Sequence, residues 1–166
     1  TGPLPGDIYT VIATGGHVDN VARFVDARTV LLAEVTVQEA QASPIAAISR
    51  RRLERNFEIL KNATDQDGRP LRIIRMPSPE LVFTTMSPGD GVYDYISNLR
   101  YRSPFPVGKP VRVVLASSYL NFLISNGVIV TSKFGGPGRA ASSRKDKRSL
   151  AILRSVFPNH KIVALD

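Results

Sequence analysis

At 166 residues, with 43% hydrophobic and 22% charged residues, the chain has the size and composition of one globular domain rather than a disordered segment. It holds no cysteine and two histidines, His17 and His160, which excludes disulfides, thiolate metal sites and a cysteine nucleophile within these residues. The formal net charge of +8 would attract nucleic acid or acidic surfaces. Its basic residues, however, gather mainly in two runs that lie in or beside predicted helices. These are Arg50, Arg51, Arg52 and Arg55, then Arg139, Arg144, Lys145, Lys147 and Arg148. Charge in such places is most often a solvated face, so nucleic acid is not the expected partner.

In chain order, TGPLPGD lacks the basic and apolar parts of a signal segment, and no apolar run approaches membrane-spanning length. The expectation is a cytoplasmic protein with no membrane partner. From Gly16, HVDNVARFVD reads as a strand, Asp26–Ala27–Arg28 as a turn and TVLLAEV as a second strand. Ser43–Pro44 starts a helix, serine as N-cap and proline at the first helical position, with an apolar stripe of Ile45, Ile48, Leu53, Phe57 and Leu60. Asp67–Gly68 then turns the chain into the strand LRIIRM.

Residues 78–110 are rich in Pro, Gly, Tyr and Asp. They read as a long loop, ordered by Tyr93, Tyr95, Tyr101 and Phe105, that is either a functional covering or a variable insertion. Beyond it the first order of elements returns. VRVVLASSYLNFLIS is extended, Asn126–Gly127 is a hairpin signal, VIVTSKF is a strand, a helix carries Leu150, Leu153, Val156 and Phe157, and KIVALD is a last strand. One strand, hairpin, strand, helix, strand unit thus spans about 16–77 and a second about 111–166. Asn20 and Asn121 fall at matching points of the two.

The chemistry concentrates at ATGGHVDN. In an extended segment His17 and Asp19 project to one side. A histidine serves as acid and base in one cycle, and a carboxylate beside it orients the ring or grips a cation. Gly15 and Gly16 allow close approach of backbone or ligand. Spacing alone does not separate this reading from a polar turn at a strand start. Asn20 and Asn121 read as structural amides or ligand contacts, Ser118 and Tyr119 as residues that could line a channel, and His160 as exposed and inert.

Taken together, GGHVDNVARFVDARTVLLAEV, ASSYLNFLISNGVIVTSKFG and FPNHKIVALD resemble the agmatine deiminase family, of the guanidino-group-modifying superfamily that includes the bacterial peptidylarginine deiminases. The resemblance covers nearly the whole chain in order. It implies an α/β fold of the pentein type, an α/β propeller of five strand-strand-helix-strand blades, with about two blades present in a single partial domain. It further implies that His17 protonates departing ammonia and then activates water, and that Asp19 binds the substrate guanidinium. Asn121 and Tyr119 would be substrate contacts, with Gly16 and Asn20 structural beside the site. The family's nucleophilic cysteine has no counterpart here, so the chain is expected to be an inactive portion of a longer enzyme. Expected partners are a guanidino substrate (agmatine first, arginine or peptidyl-arginine next), the remainder of the parent protein and further copies in a homo-oligomer. No cofactor or metal is implied. A non-catalytic binding module of the same fold is the alternative, and a basic nucleic-acid-binding domain the third.

Overall fold

The computed structural model of the chain describes residues 8–9, 17–99 and 104–166. Among these, the strands form three three-stranded sheets of mixed direction, an α/β arrangement. In the first sheet, the Asp26 carboxylate accepts the backbone N–H groups of Arg28 (2.8 Å) and Thr29 (2.7 Å). That side-chain-to-backbone turn joins β2 (Ala22–Phe24) to β3 (Thr29–Glu34) as an antiparallel pair. Residues Val30, Leu31, Leu32 and Ala33 are all buried, as befits a central strand covered on both faces.

Two helices return the chain from β3. Thr36 caps α1 (Val37–Ala42) in a reciprocal capping box with Glu39. Ser43 then caps α2 (Pro44–Lys61), its hydroxyl oxygen accepting from the Ala46 N–H at 3.4 Å. The crossover delivers β4 (Arg72–Pro77) parallel to β3, with Leu31 opposite Ile74.

The same order recurs at the C-terminal side. Asn126 (φ 40°) and Gly127 (φ 79°) adopt the left-handed conformations that a two-residue hairpin requires. They join β7 (Leu123–Ser125) to β8 (Val128–Ser132), with Ser125 opposite Val128. Helix α4 (Ala140–Val156) crosses over to β9 (Lys161–Leu165), parallel to β8.

The third sheet departs from the sequence expectation. Strand β6 (Val111–Val114) lies at its centre, antiparallel to β5 (Phe83–Met86) and parallel to β1 (Ile8–Tyr9). The expected loop 78–110 therefore contains β5 and helix α3 (Gly91–Ser97), and VRVVLASSYLNFLIS is divided between two sheets. Of the four aromatics, Tyr93 and Phe105 pack within the segment, whereas Tyr95 is exposed. Tyr93 meets Phe105 edge-on at 5.6 Å, and the Gly108 N–H donates to the Tyr93 hydroxyl at 2.9 Å. Tyr101 lies outside the described residues.

The two repeated units do not have separate cores. Leu31, Ala33, Leu53 and Met76 of the first pack in one cluster with Leu120, Phe122, Ile129 and Leu153 around the second. Leu120 is 0% exposed, so Leu120→Ala should cost about 3 kcal/mol of unfolding free energy through lost burial and the cavity left behind. Because the cluster spans both units, chemical denaturation of the variant should still show one transition. Separate transitions for the two units would contradict a shared core.

Candidate functional site

His17 stands at the N-cap of a single 3-10 turn, Val18–Asn20, with extended backbone (φ −78°, ψ 130°). The Asn20 N–H donates back to the His17 carbonyl at 3.2 Å and the Val21 N–H to the Val18 carbonyl at 2.9 Å. This corrects the extended strand expected from Gly16, since pairing with β3 begins only at Ala22. Asp19 lies inside the turn while His17 is an extended residue before it, so the period-two spacing of a strand does not describe the pair. Both are exposed. Gly15 and Gly16 lie outside the described residues.

The turn is fastened to a segment a hundred residues away. The Ser118 hydroxyl donates to the Asn20 carbonyl at 3.0 Å and accepts the Leu120 N–H at 3.0 Å. From β2, Arg23 donates through Nη1 to the carbonyls of Leu120 (3.3 Å) and Phe122, and its guanidinium lies over the Phe122 ring at 4.2 Å. The structure therefore brings HVDN and SSYLN together. Asn121 is exposed beside this junction.

Tyr119 points into the interior, where it is 1% exposed and meets Phe134 edge-on at 5.1 Å. Its hydroxyl donates to Oδ1 of Asp146 at 2.5 Å. That buried carboxylate, on α4, also accepts the N–H groups of Phe134 (3.0 Å) and Gly135 (2.8 Å) and so pins the loop that follows β8. A Cβ at Gly135 would stand 2.6 Å from Asp146 Oδ2 and 2.7 Å from Ser143 Cα, so only glycine lets the loop come this close. Asp146 is a residue that sequence reasoning missed. Its signal is the spacing of Ser142, Asp146, Ser149 and Leu153, which places three polar residues on the buried face of α4.

Burial first, then the hydrogen bond to Asp146 and its charge, push the Tyr119 hydroxyl far above the usual phenol range. The folded chain therefore holds this proton more tightly than the unfolded one. Its stabilising contribution is complete below the ordinary value of 10.0 and declines as pH rises beyond it. Denaturation midpoints of the wild-type chain should fall as pH rises above about 10, and Tyr119→Phe should flatten that fall.

A cavity of about 580 Å³ opens behind the turn, walled by Val18, Val21, Val35, Leu53, Leu81 and Phe83. Lys145 lines it and pairs with Glu39 and with Glu80 (3.0 Å). Desolvation alone would raise the Glu39 carboxyl; Lys145 and the Thr36 N–H and O–H outweigh it and hold that carboxyl below the usual range. Neither His17 nor Asp19 lines this space.

The basic runs are partly engaged within the chain. Arg50 donates to the Val35 carbonyl at 2.7 Å, and Arg148 pairs with Glu34 at 2.9 Å. His160, expected to be exposed, is half-buried edge-on to Phe157 at 5.4 Å, with Nδ1 buried and unpartnered. Among the described residues no three His, Asp or Glu side chains converge to hold a metal ion, and no helix is long and apolar enough to cross a membrane.

Residues 4–166 match the sequence profile of the Porphyromonas-type peptidyl-arginine deiminase family. The chain belongs to that family. The agmatine deiminase of Pseudomonas aeruginosa is 34% identical over 160 residues, 96% of this chain and 37% of the relative. That of Medicago truncatula is 28% identical over 163 residues, 98% of this chain and 38% of its own. Among solved structures, the agmatine deiminase of Enterococcus faecalis matches with a TM-score of 0.57 and 22% identity over 92% of this chain and 36% of that one. The C. jejuni agmatine deiminase gives 0.51 and 17% over 90% and 33%. These likenesses establish the fold. The chain spans a little over a third of the length of the curated family relatives it matches.

Proposed function

We propose that these residues supply half of a guanidino-deiminating centre whose thiolate comes from residues outside the 166. The two units built on β2–β3–β4 and β7–β8–β9 are read as two of five pentein blades. His17 is the acid and base, and Asp19 the carboxylate that binds the guanidinium. The observation that carries this reading is the junction of HVDN with SSYLN through Ser118 and Arg23, which gathers polar groups from both units at one place.

In the proposed reaction the thiolate attacks the guanidinium carbon, and ammonia leaves with a proton from the His17 imidazolium. The neutral ring then takes a proton from water as the oxygen adds to the thiouronium carbon. Cleavage of the C–S bond restores the thiolate and releases the ureido product, whose hydroxyl proton passes to solvent, where the released ammonia takes it up as ammonium. The sum is guanidinium plus water giving urea-type product plus ammonium. Asp19 would hold two guanidinium nitrogens with charge-assisted bonds throughout. The names of the relatives favour agmatine as substrate, with peptidyl-arginine and arginine next.

The test is an assay of the full-length protein for ammonia and ureido product with each of these three. Turnover of at least one is expected, and failure with all three by folded protein would overturn the reading. The chain's lack of any cysteine motivates a second reading, a binding module of the same fold. Calorimetric binding of agmatine without ammonia release would favour that one.

A further inference from the structure

The 3-10 turn that carries His17 and Asp19 is a weak element in itself. It contains three residues, its two backbone bonds are local, and the His17 side chain does not cap it. What holds it lies elsewhere. The Ala33 N–H donates to the Val21 carbonyl at 2.9 Å, which seats only the end of the turn on β3. Two further fastenings among the described residues, through Ser118 and Arg23, tie the turn and β2 to the segment 118–122.

We infer that Ser118 and Arg23 are positioning residues that set where His17 and Asp19 stand relative to the second unit; this rests on the function proposed above. Ser118 is suited to the task because its buried hydroxyl is engaged twice, as donor to the Asn20 carbonyl and acceptor from the Leu120 N–H. Its oxygen thus ties the last residue of the turn directly to the backbone of the partner segment. Arg23 acts one step along, on β2. Its planar guanidinium spans two carbonyls, Leu120 and Phe122, while stacking on the Phe122 ring. A lysine carries the charge but has neither the fork nor the flat face, so it cannot reproduce this contact. The hydrogen bonds of both residues across the junction go to backbone groups, with the Phe122 ring seating the Arg23 plane, so the clamp acts on geometry.

The experiment uses the full-length protein and four variants: Ser118→Ala, Ser118→Thr, Arg23→Lys and His17→Ala. Turnover of agmatine is measured well below each melting temperature and normalised to folded protein. Misplacement of a reacting group by about 1 Å costs on the order of 100-fold. Ser118→Ala and Arg23→Lys should therefore lower kcat by about 10- to 100-fold with a smaller change in KM, and Ser118→Thr, which keeps the hydroxyl, should recover most of it. A purely structural role would lower the melting temperature and leave kcat of the folded protein unchanged, and that result overturns the inference. Should Arg23→Lys not fold, the two Ser118 variants carry the test alone, since threonine keeps the hydroxyl that alanine removes. If His17→Ala retains full turnover, the functional reading itself fails. If His17→Ala is inactive while Ser118→Ala and Arg23→Lys match the wild type, only the clamp fails.

Discussion

Asp146→Ala should lower the unfolding free energy by about 3 to 5 kcal/mol, one of the largest effects of any single substitution in this chain. The carboxylate is buried and satisfies three donors, the Tyr119 hydroxyl and the N–H groups of Phe134 and Gly135. Alanine would strand all three where water cannot easily replace the lost acceptor. The cost is then the desolvation of the orphaned groups, which exceeds the net worth of the bonds themselves. Tyr119→Phe removes one donor and leaves the other two paired, so about 1 kcal/mol is expected. Asp146→Asn should fall between, because its amide NH2 would face an N–H that needs an acceptor. Urea denaturation of the series orders them. An Asp146→Ala variant no less stable than Tyr119→Phe would show that the carboxylate is not the anchor of the loop at Phe134–Gly135.

The largest effect on activity should come from His17→Ala in the full-length protein, a loss of about 100- to 10,000-fold in kcat for agmatine. If the imidazole both protonates the leaving ammonia and activates water, its removal slows two steps, and substrate affinity should change little. Asp19→Asn should differ in kind. An amide keeps one oxygen but loses the charge and the second acceptor that a guanidinium engages side by side, so KM should rise by about 100-fold. The contrast is the informative part. Equal losses in kcat and KM for both variants would assign the two residues to one undivided role. Near-normal ureido product from His17→Ala would remove it from the chemistry.

Local signals served the sequence reading well wherever a turn or cap has its own chemistry. Asp26 with two N–H groups, Ser43 before Pro44, and Asn126–Gly127 all set structure through bonds within a few residues. Helix α1 was legible in principle, since Thr36 and Glu39 form the capping box that its sequence spells. The third sheet was not. Its elements are short, and its pairing joins Ile8 to Arg112 and Phe83 to Val114, relations that periodicity cannot carry. At the site, His17 and Asp19 stood out by residue type, but the 3-10 turn that holds them depends on bonds from Asn20 and Val21 that spacing does not announce. Ser118 and Arg23 were invisible as a pair, because their meeting is a product of tertiary packing.

The central strand β6 has a consequence for how the chain is made. During synthesis the sheet of β2, β3 and β4 has all its partners once Pro77 has emerged, and it closes only short connections. Strand β1 lies about a hundred positions before its partners Arg112 and Val113, with the whole of β2 to β5 between them. Closing so long a loop is entropically slow compared with the hairpins and crossovers on either side. Strand β1 thus waits for β6 before it can pair, while the sheet of β2, β3 and β4 can close in the interval.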